Sequence, residues 1–175
     1  MCGCASAGPI DREIDATGPG RITVVEFVDY GCTHCQELAE RIDPVLEEFQ
    51  GRVRVVIKQV PLEDKHPGAT RLAAAAVCAE VQGRLEPVHA ALIRGGGFSD
   101  DGLLDLAQHA GLDVEAFKAC LRSDFPLARI KSDTSEWESL GADGLPMVFV
   151  DHEKFVGMVG AEPIEKALRD RAGDR

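Results

Sequence analysis

Residues 22–60 constrain the fold more than any other stretch of the chain. "ITVVEFV" (22–28) is β-branched and aromatic, and it is apolar at both alternating positions, as in a central strand covered on both faces of its sheet. From Leu38 the apolar positions Leu38, Ile42, Val45, Leu46 and Phe49 keep helical spacing, and Pro44 inside the pattern should bend the helix. "RVRVVIKQV" (52–60) reads as a second strand, so 22–60 is a βαβ unit with its first strand expected mid-sheet. The strand-to-helix corner of that unit carries two cysteines, Cys32 and Cys35, in "YGCTHC".

From His66 to about Gly141 the apolar period is helical throughout: Leu85, Val88 and Leu92, then Leu103, Leu106, Ala107 and Ala110, then Val114, Phe117 and Leu121, then Ile130, Thr134 and Trp137. Ser99 and Asp113 are N-cap candidates, while Gly83, Gly95 to Gly97 and Gly111 mark helix ends, which predicts four or five helices. "PMVFVD" and "KFVGMV" then flank the turn residues Asp151 and His152 as a hairpin, and "AEPIEKALRD" opens a last helix with Pro163 in its first turn. The predicted fold class is α/β, in the order β-α-β, a helical insertion over 66–140, then β-β-α. Residues 21–65 and 141–175 form the α/β domain, and residues 1–20 are expected to be a flexible tail.

Composition narrows the function. A chain of 175 residues that is 45% hydrophobic can bury a sizeable core, and a net charge of −11 with acids spread along the chain disfavours binding nucleic acid or an anionic membrane through bulk charge. No apolar run approaches the roughly 18 to 20 residues that span a bilayer. "MCGCASAGPIDREIDATGPGR" lacks the basic start and apolar centre of an export signal. The expectation is a cytoplasmic protein, or one of the periplasm or cell envelope whose signal has been removed. In the second case Cys2 would suit the first residue of a mature lipoprotein. Cys2 and Cys4 are otherwise a small metal or redox pair, or simply part of the tail.

The corner is where chemistry is expected. The first turn of a helix presents unpaired N–H groups and the positive end of its dipole, so a thiolate at Cys32 is stabilised over the thiol. Cys35, one turn on, lies on the same face, placed to close a small disulfide ring or to attack a mixed disulfide at Cys32. The alternatives are a zinc half-site, which would want a second ligand pair that isolated Cys78 and Cys120 do not offer, and two incidental buried thiols. Glu26, six residues before Cys32, lies between apolar Val24 and Val28. It reads as a buried carboxyl of raised pKa that can accept the proton of Cys35, or else as a sign that this face is open to water. A protonated His34 imidazole between the cysteines would add donor and charge to the thiolate; its alternative is a surface role. His66, His89, His109 and His152 show no metal spacing and read as surface or helix-packing residues.

"EFVDYGCTHC", the proline-bent helix, the βαβ unit, the inserted helices and "GLP" before a hairpin and terminal helix resemble the thioredoxin fold, and within it the DsbA-like disulfide oxidoreductases, over roughly residues 21–172. The resemblance implies that Cys32 is the exposed attacking and leaving sulfur, Cys35 the resolving one, Glu26 the buried acid and Pro146 a cis-proline facing the dithiol. Leu145 would pair its backbone with an extended substrate segment. Two departures, Thr33-His34 for the more familiar Pro-His and Leu145 for Val or Thr, fall at positions that tune redox poise and substrate choice. The expected function is thiol-disulfide exchange with cysteines of substrate proteins or peptides, in the disulfide-forming direction. No cofactor is implied, and a redox partner recycles Cys32 and Cys35. Alternatives are a reductase or isomerase, a copper-binding module using the CxxC, and an interaction domain without turnover. Cys78 and Cys120, on apolar helical stripes, are expected to be neighbours, bridged if the protein is exported and otherwise free.

Overall fold

A computed structural model of the chain describes residues 8–95, 98–141, 144–157 and 161–173. Readings that rest on Cys2, Cys4, Gly96, Gly97, Met158 and Val159 lie outside the described residues. The described elements are α1 (Pro9–Thr17), β1 (Ile22–Val28), α2 (Thr33–Glu48), β2 (Val53–Gln59), α3 (Ala69–Val81), α4 (Leu85–Ile93), α5 (Asp100–His109), α6 (Val114–Leu121), α7 (Phe125–Ser139), β3 (Met147–Val150), β4 (Glu153–Val156) and α8 (Ala161–Gly173).

The sheet order is β2-β1-β3-β4, with β1 parallel to β2 and antiparallel to β3, and β3 antiparallel to β4. All seven residues of β1 are buried, as an interior strand apolar on both faces requires. Its alternation splits the core. Val24 packs with Leu38 and Ile42 of α2, Val148 and Val150 of β3, and Ile164 and Leu168 of α8. Val25 and Phe27 face the other way, among Ile10, Ala75, Ala76, Leu103, Phe117, Met147 and Phe149. The helical block over 69–139 therefore shares one continuous core with the sheet. No described helix is long and apolar enough to cross a membrane.

Local signals hold where they are short-range. The Ser99 and Asp113 side chains accept from the N–H groups of Gly102 and Ala116, the N-cap geometry expected of them. Pro44 sits inside α2, which continues to Glu48. The Asp151–His152 turn joins β3 to β4, with Asp151 at positive φ.

The expected tail is corrected over residues 9–17, which form α1. Pro9 opens it, Ile10 is buried, and the Glu13 carboxylate meets the Lys58 ammonium at 2.8 Å and the Arg54 guanidinium at 3.1 Å. Lys58 is buried in β2 and also reaches Glu136 of α7 at 3.0 Å, so α1 and α7 are held to one strand by shared charge. A lysine pulled out of water needs such partners. The block of helices is tied internally by a disulfide between Cys78 of α3 and Cys120 of α6, with Cα atoms 5.8 Å apart.

Candidate functional site

β1 ends at Val28 and α2 begins at Thr33, so Asp29 to Cys32 turn the corner between them. The Cys32 N–H donates to the Asp29 carbonyl at 3.0 Å, and the Cys32 carbonyl accepts from Cys35 and Gln36 at 3.0 and 3.1 Å. Cys32 is thus the N-cap of α2, in extended backbone conformation. Both cysteines are free thiols, the reduced state of a dithiol.

They are chemically unlike. A hydrogen bond from Cys35 pulls the Cys32 thiol down to about 6; burial opposes this, and the backbone N–H groups of Cys35 and His34 add to it. The same sulfur-to-sulfur bond, together with burial, pushes the Cys35 thiol far upward. One proton is shared so that it stays on Cys35 and leaves Cys32 as thiolate near neutrality. Cys32, expected to be exposed, is buried at 8% exposure, against 2% for Cys35. His34 and Thr33 are both exposed, and His34 acts on the thiolate through its backbone N–H.

Glu26 is buried, and burial, with a smaller contribution from Asp43, lifts its carboxyl to about 8. It lines a cavity of about 500 Å³ with Asp43, Glu47 and His89. Leu145 belongs to the same buried cluster as Cys32 and Cys35, and the Leu145–Pro146 peptide bond is cis. Among the described residues no group of three or more His, Cys, Asp or Glu side chains is arranged to hold a metal ion.

Two histidines read as surface or packing residues prove to face the corner. His89 is half-buried; burial lowers its imidazole to about 4, and its Nδ1 lies within hydrogen-bond distance of the Tyr30 hydroxyl, at 3.0 Å. Tyr30, beside the CxxC, is itself buried, and burial raises its phenol. His66 Nδ1 lies 2.7 Å from Asp29 Oδ2, whose carboxylate also accepts from the N–H groups of Gly31 and Leu62 at 2.8 and 2.9 Å. Asp29 was not singled out in the sequence. The available signal was Asp-x-Gly at a strand end, where an aspartate accepts from the N–H two residues on. His109 and His152 stay at the surface, against the Asp105 carbonyl and Asp11.

These features agree with comparisons to known proteins. A sequence profile described as thioredoxin matches residues 20–170. A thioredoxin-like oxidoreductase from Silicibacter pomeroyi DSS-3 superposes with a TM-score of 0.74 at 29% identity, over 89% of this chain and 88% of that one. The thiol-disulfide exchange protein alpha-DsbA2 of Wolbachia pipientis superposes with a TM-score of 0.75 at 20% identity, over 94% and 90%. Among curated sequences, a Na(+)/H(+) antiporter NhaA of Herminiimonas arsenicoxydans is 30% identical over 172 residues, which are 95% of this chain and 27% of that one. The chain spans about a quarter of the length of the curated relatives it matches. With all but its ends inside the matched profile and a CxxC at the first helix of a βαβ unit, the chain belongs to the thioredoxin family, and its structural neighbours place its fold with the DsbA-like thiol-disulfide oxidoreductases.

Proposed function

We propose that the protein exchanges disulfides with cysteines of substrate proteins or peptides, in the disulfide-forming direction, and that Cys32 and Cys35 carry the exchange. The observation that supports this best is the split between a Cys32 thiol drawn down to about 6 and a Cys35 thiol pushed up. A stabilised Cys32 thiolate favours the reduced protein, and that makes the disulfide the stronger oxidant.

In this reading a substrate thiolate attacks Cys32 Sγ of the Cys32–Cys35 disulfide. The S–S bond breaks, Cys35 departs as a thiolate, and a mixed disulfide forms at Cys32. Cys35 is shielded and takes up a proton readily, with the Glu26 carboxyl, protonated up to about 8, as the buried donor and the Asp43-lined cavity as its path to water. A second substrate thiolate then attacks the substrate sulfur of the mixed disulfide. Cys32 leaves as the thiolate favoured by the end of α2. Two substrate thiols are oxidised to a disulfide, and the protein is reduced to the dithiol that a redox partner reoxidises. Leu145, ahead of Pro146, offers backbone to an extended substrate, and exposed Thr33 borders the same approach. The helices over 66–140 serve as an inserted subdomain on the thioredoxin-like core of 21–65 and 141–175. A bridged Cys78–Cys120 pair supports an oxidising compartment.

Equilibration with a glutathione buffer tests the direction. The couple should lie above the roughly −270 mV of thioredoxin, by about 30 mV for each unit of thiol pKa that separates the two proteins. A value at or below that of thioredoxin would turn the assignment to a reductase. A one-to-one copper(I) complex that blocks all exchange would turn it to a metal module.

A further inference from the structure

Asp29 poses a problem for a dithiol that works as a thiolate. Its side chain is fully buried, and its negative charge opposes a thiolate on either Cys32 or Cys35. A carboxylate in that position costs stability and reactivity unless something answers it. Two of its acceptor sites are filled by the N–H groups of Gly31 and Leu62, and the third partner is the His66 ring, donating from Nδ1 at 2.7 Å. A carboxylate only accepts, so Nδ1 carries the proton.

The ring is also packed against the corner. A Cβ built on Gly31 would lie 2.5 Å from His66 Cβ and 3.0 Å from its Cγ. Gly31 is the residue before Cys32, and it has no φ that demands glycine; the demand is the close approach of His66. The segment that bears His66 is fixed in turn, with His66 N–H donating to the Leu62 carbonyl at 2.8 Å and the Ala69 N–H donating to the His66 carbonyl at 3.0 Å. The loop between β2 and α3 thus folds back over the end of β1 and delivers one imidazole to one buried carboxylate, next to the attacking sulfur.

We propose that His66 is a positioning residue for the Cys32 thiolate: seated on Gly31 and hydrogen-bonded to buried Asp29, it stabilises through that bond the carboxylate that Asp29 sets beside the dithiol. This rests on the reading of Cys32 as the exchanging sulfur. His66 touches neither sulfur nor substrate in this account and acts through Asp29 alone. Its part is to let a buried aspartate hold the corner together without suppressing the thiolate that the corner exists to present.

The test is the Cys32 pKa, followed by thiolate absorbance at 240 nm and by alkylation rate against pH, in four proteins. His66→Ala leaves the Asp29 charge unanswered and should raise the Cys32 pKa by roughly one unit, which slows alkylation at pH 5 about tenfold. Asp29→Asn removes the charge and should lower it. The double variant, Asp29→Asn with His66→Ala, should match Asp29→Asn, because without the charge the imidazole has no carboxylate to stabilise. A loosened loop would not give opposite signs, so single variants that move the pKa in the same direction would overturn the proposal. The His66 side chain is 28% exposed, and thermal melts will show that its alanine variant is folded. If the wild-type Cys32 titrates near 6 and His66→Ala matches it, the role of His66 falls alone. If the wild-type Cys32 titrates at an ordinary thiol value, the reading of the dithiol falls and takes this proposal with it.

Discussion

Among the described residues two cysteine pairs lie in one continuous core, and they have opposite fates. Cys32 and Cys35 are free thiols, three residues apart, at the start of α2. Cys78 and Cys120 are 42 residues apart, lie within α3 and near the end of α6, and are joined. The difference is one of place on the helix. A sulfur at an N-cap faces backbone N–H groups with no other partner, which stabilise it as an anion. A sulfur along a helix wall faces apolar neighbours: Cys78 is fully buried among the alanines of α3. Position sets the two thiols of one pair apart in acidity and makes the other pair a cross-link between helices.

The largest effect should come from breaking the first pair. Cys35→Ser, offered a peptide disulfide, should accumulate a mixed disulfide between Cys32 and one half of the peptide while the other half leaves as a thiol, seen as an added mass on the intact protein, and Cys32→Ser should accumulate none. Equal trapping by the two variants would dissolve the distinction between attacking and resolving sulfur. Exchange by Cys32→Ser should fall by several orders of magnitude, since the variant can neither form the Cys32–Cys35 disulfide nor carry a mixed disulfide at Cys32.

Glu26, the buried acid proposed to serve Cys35, offers a test by pH. Its carboxyl is held at about 8 in the folded protein against an ordinary 4.5. A raised carboxyl leaves folding unpenalised below pH 4.5, and stability is lost progressively as pH rises through 8, by at most about 5 kcal/mol. Glu26→Gln should therefore raise the urea midpoint at pH 9, with the gain shrinking to nothing near pH 4.5. A gain independent of pH would place the cost of Glu26 in packing rather than in charge.

The second pair should behave in the contrary way. Cys78→Ala with Cys120→Ala opens a loop of 42 residues and should cost about 4 kcal/mol by chain entropy. The loss should be the same at pH 5 and pH 8, since no titrating group is involved, and the Cys32 pKa should be unchanged. A shift of that pKa in the unbridged protein would show that the two pairs communicate through their shared core.

What was legible in the sequence follows a similar division. β1 announced itself by seven residues without a solvated face, and Ser99 and Asp113 announced their caps because the bond lies three residues away. α1 was hidden because its helix is short and polar, and its partners Arg54 and Lys58 stand some 40 residues on. Even so, Gly8-Pro9 with Asp11 after it is a helix start, and Ile10 and Ile14 share a face. The dithiol was legible as a spacing; its surroundings were not. Asp29 meets His66 across 37 residues and Tyr30 meets His89 across 59, and those contacts exist only once the helical block has folded back on β1. Periodicity reports faces, and it carries no information on which polar residues from distant faces will meet.

His34 supplies the smallest expected effect and the finest division within the reactive pair. Read from the sequence, its imidazole was a charge beside the thiolate. In the structure the side chain is exposed, and the group that faces the Cys32 sulfur is the His34 N–H, which every residue but proline possesses. His34→Ala should therefore leave the Cys32 pKa within about half a unit of the wild-type value. The contrasting variant is His34→Pro, which deletes that N–H at a position where a helix tolerates proline, and should raise the pKa by more than alanine does. Thiolate absorbance at 240 nm measures both. A larger change in His34→Ala than in His34→Pro would return the imidazole to the centre of the chemistry and would demote the amides of the helix end.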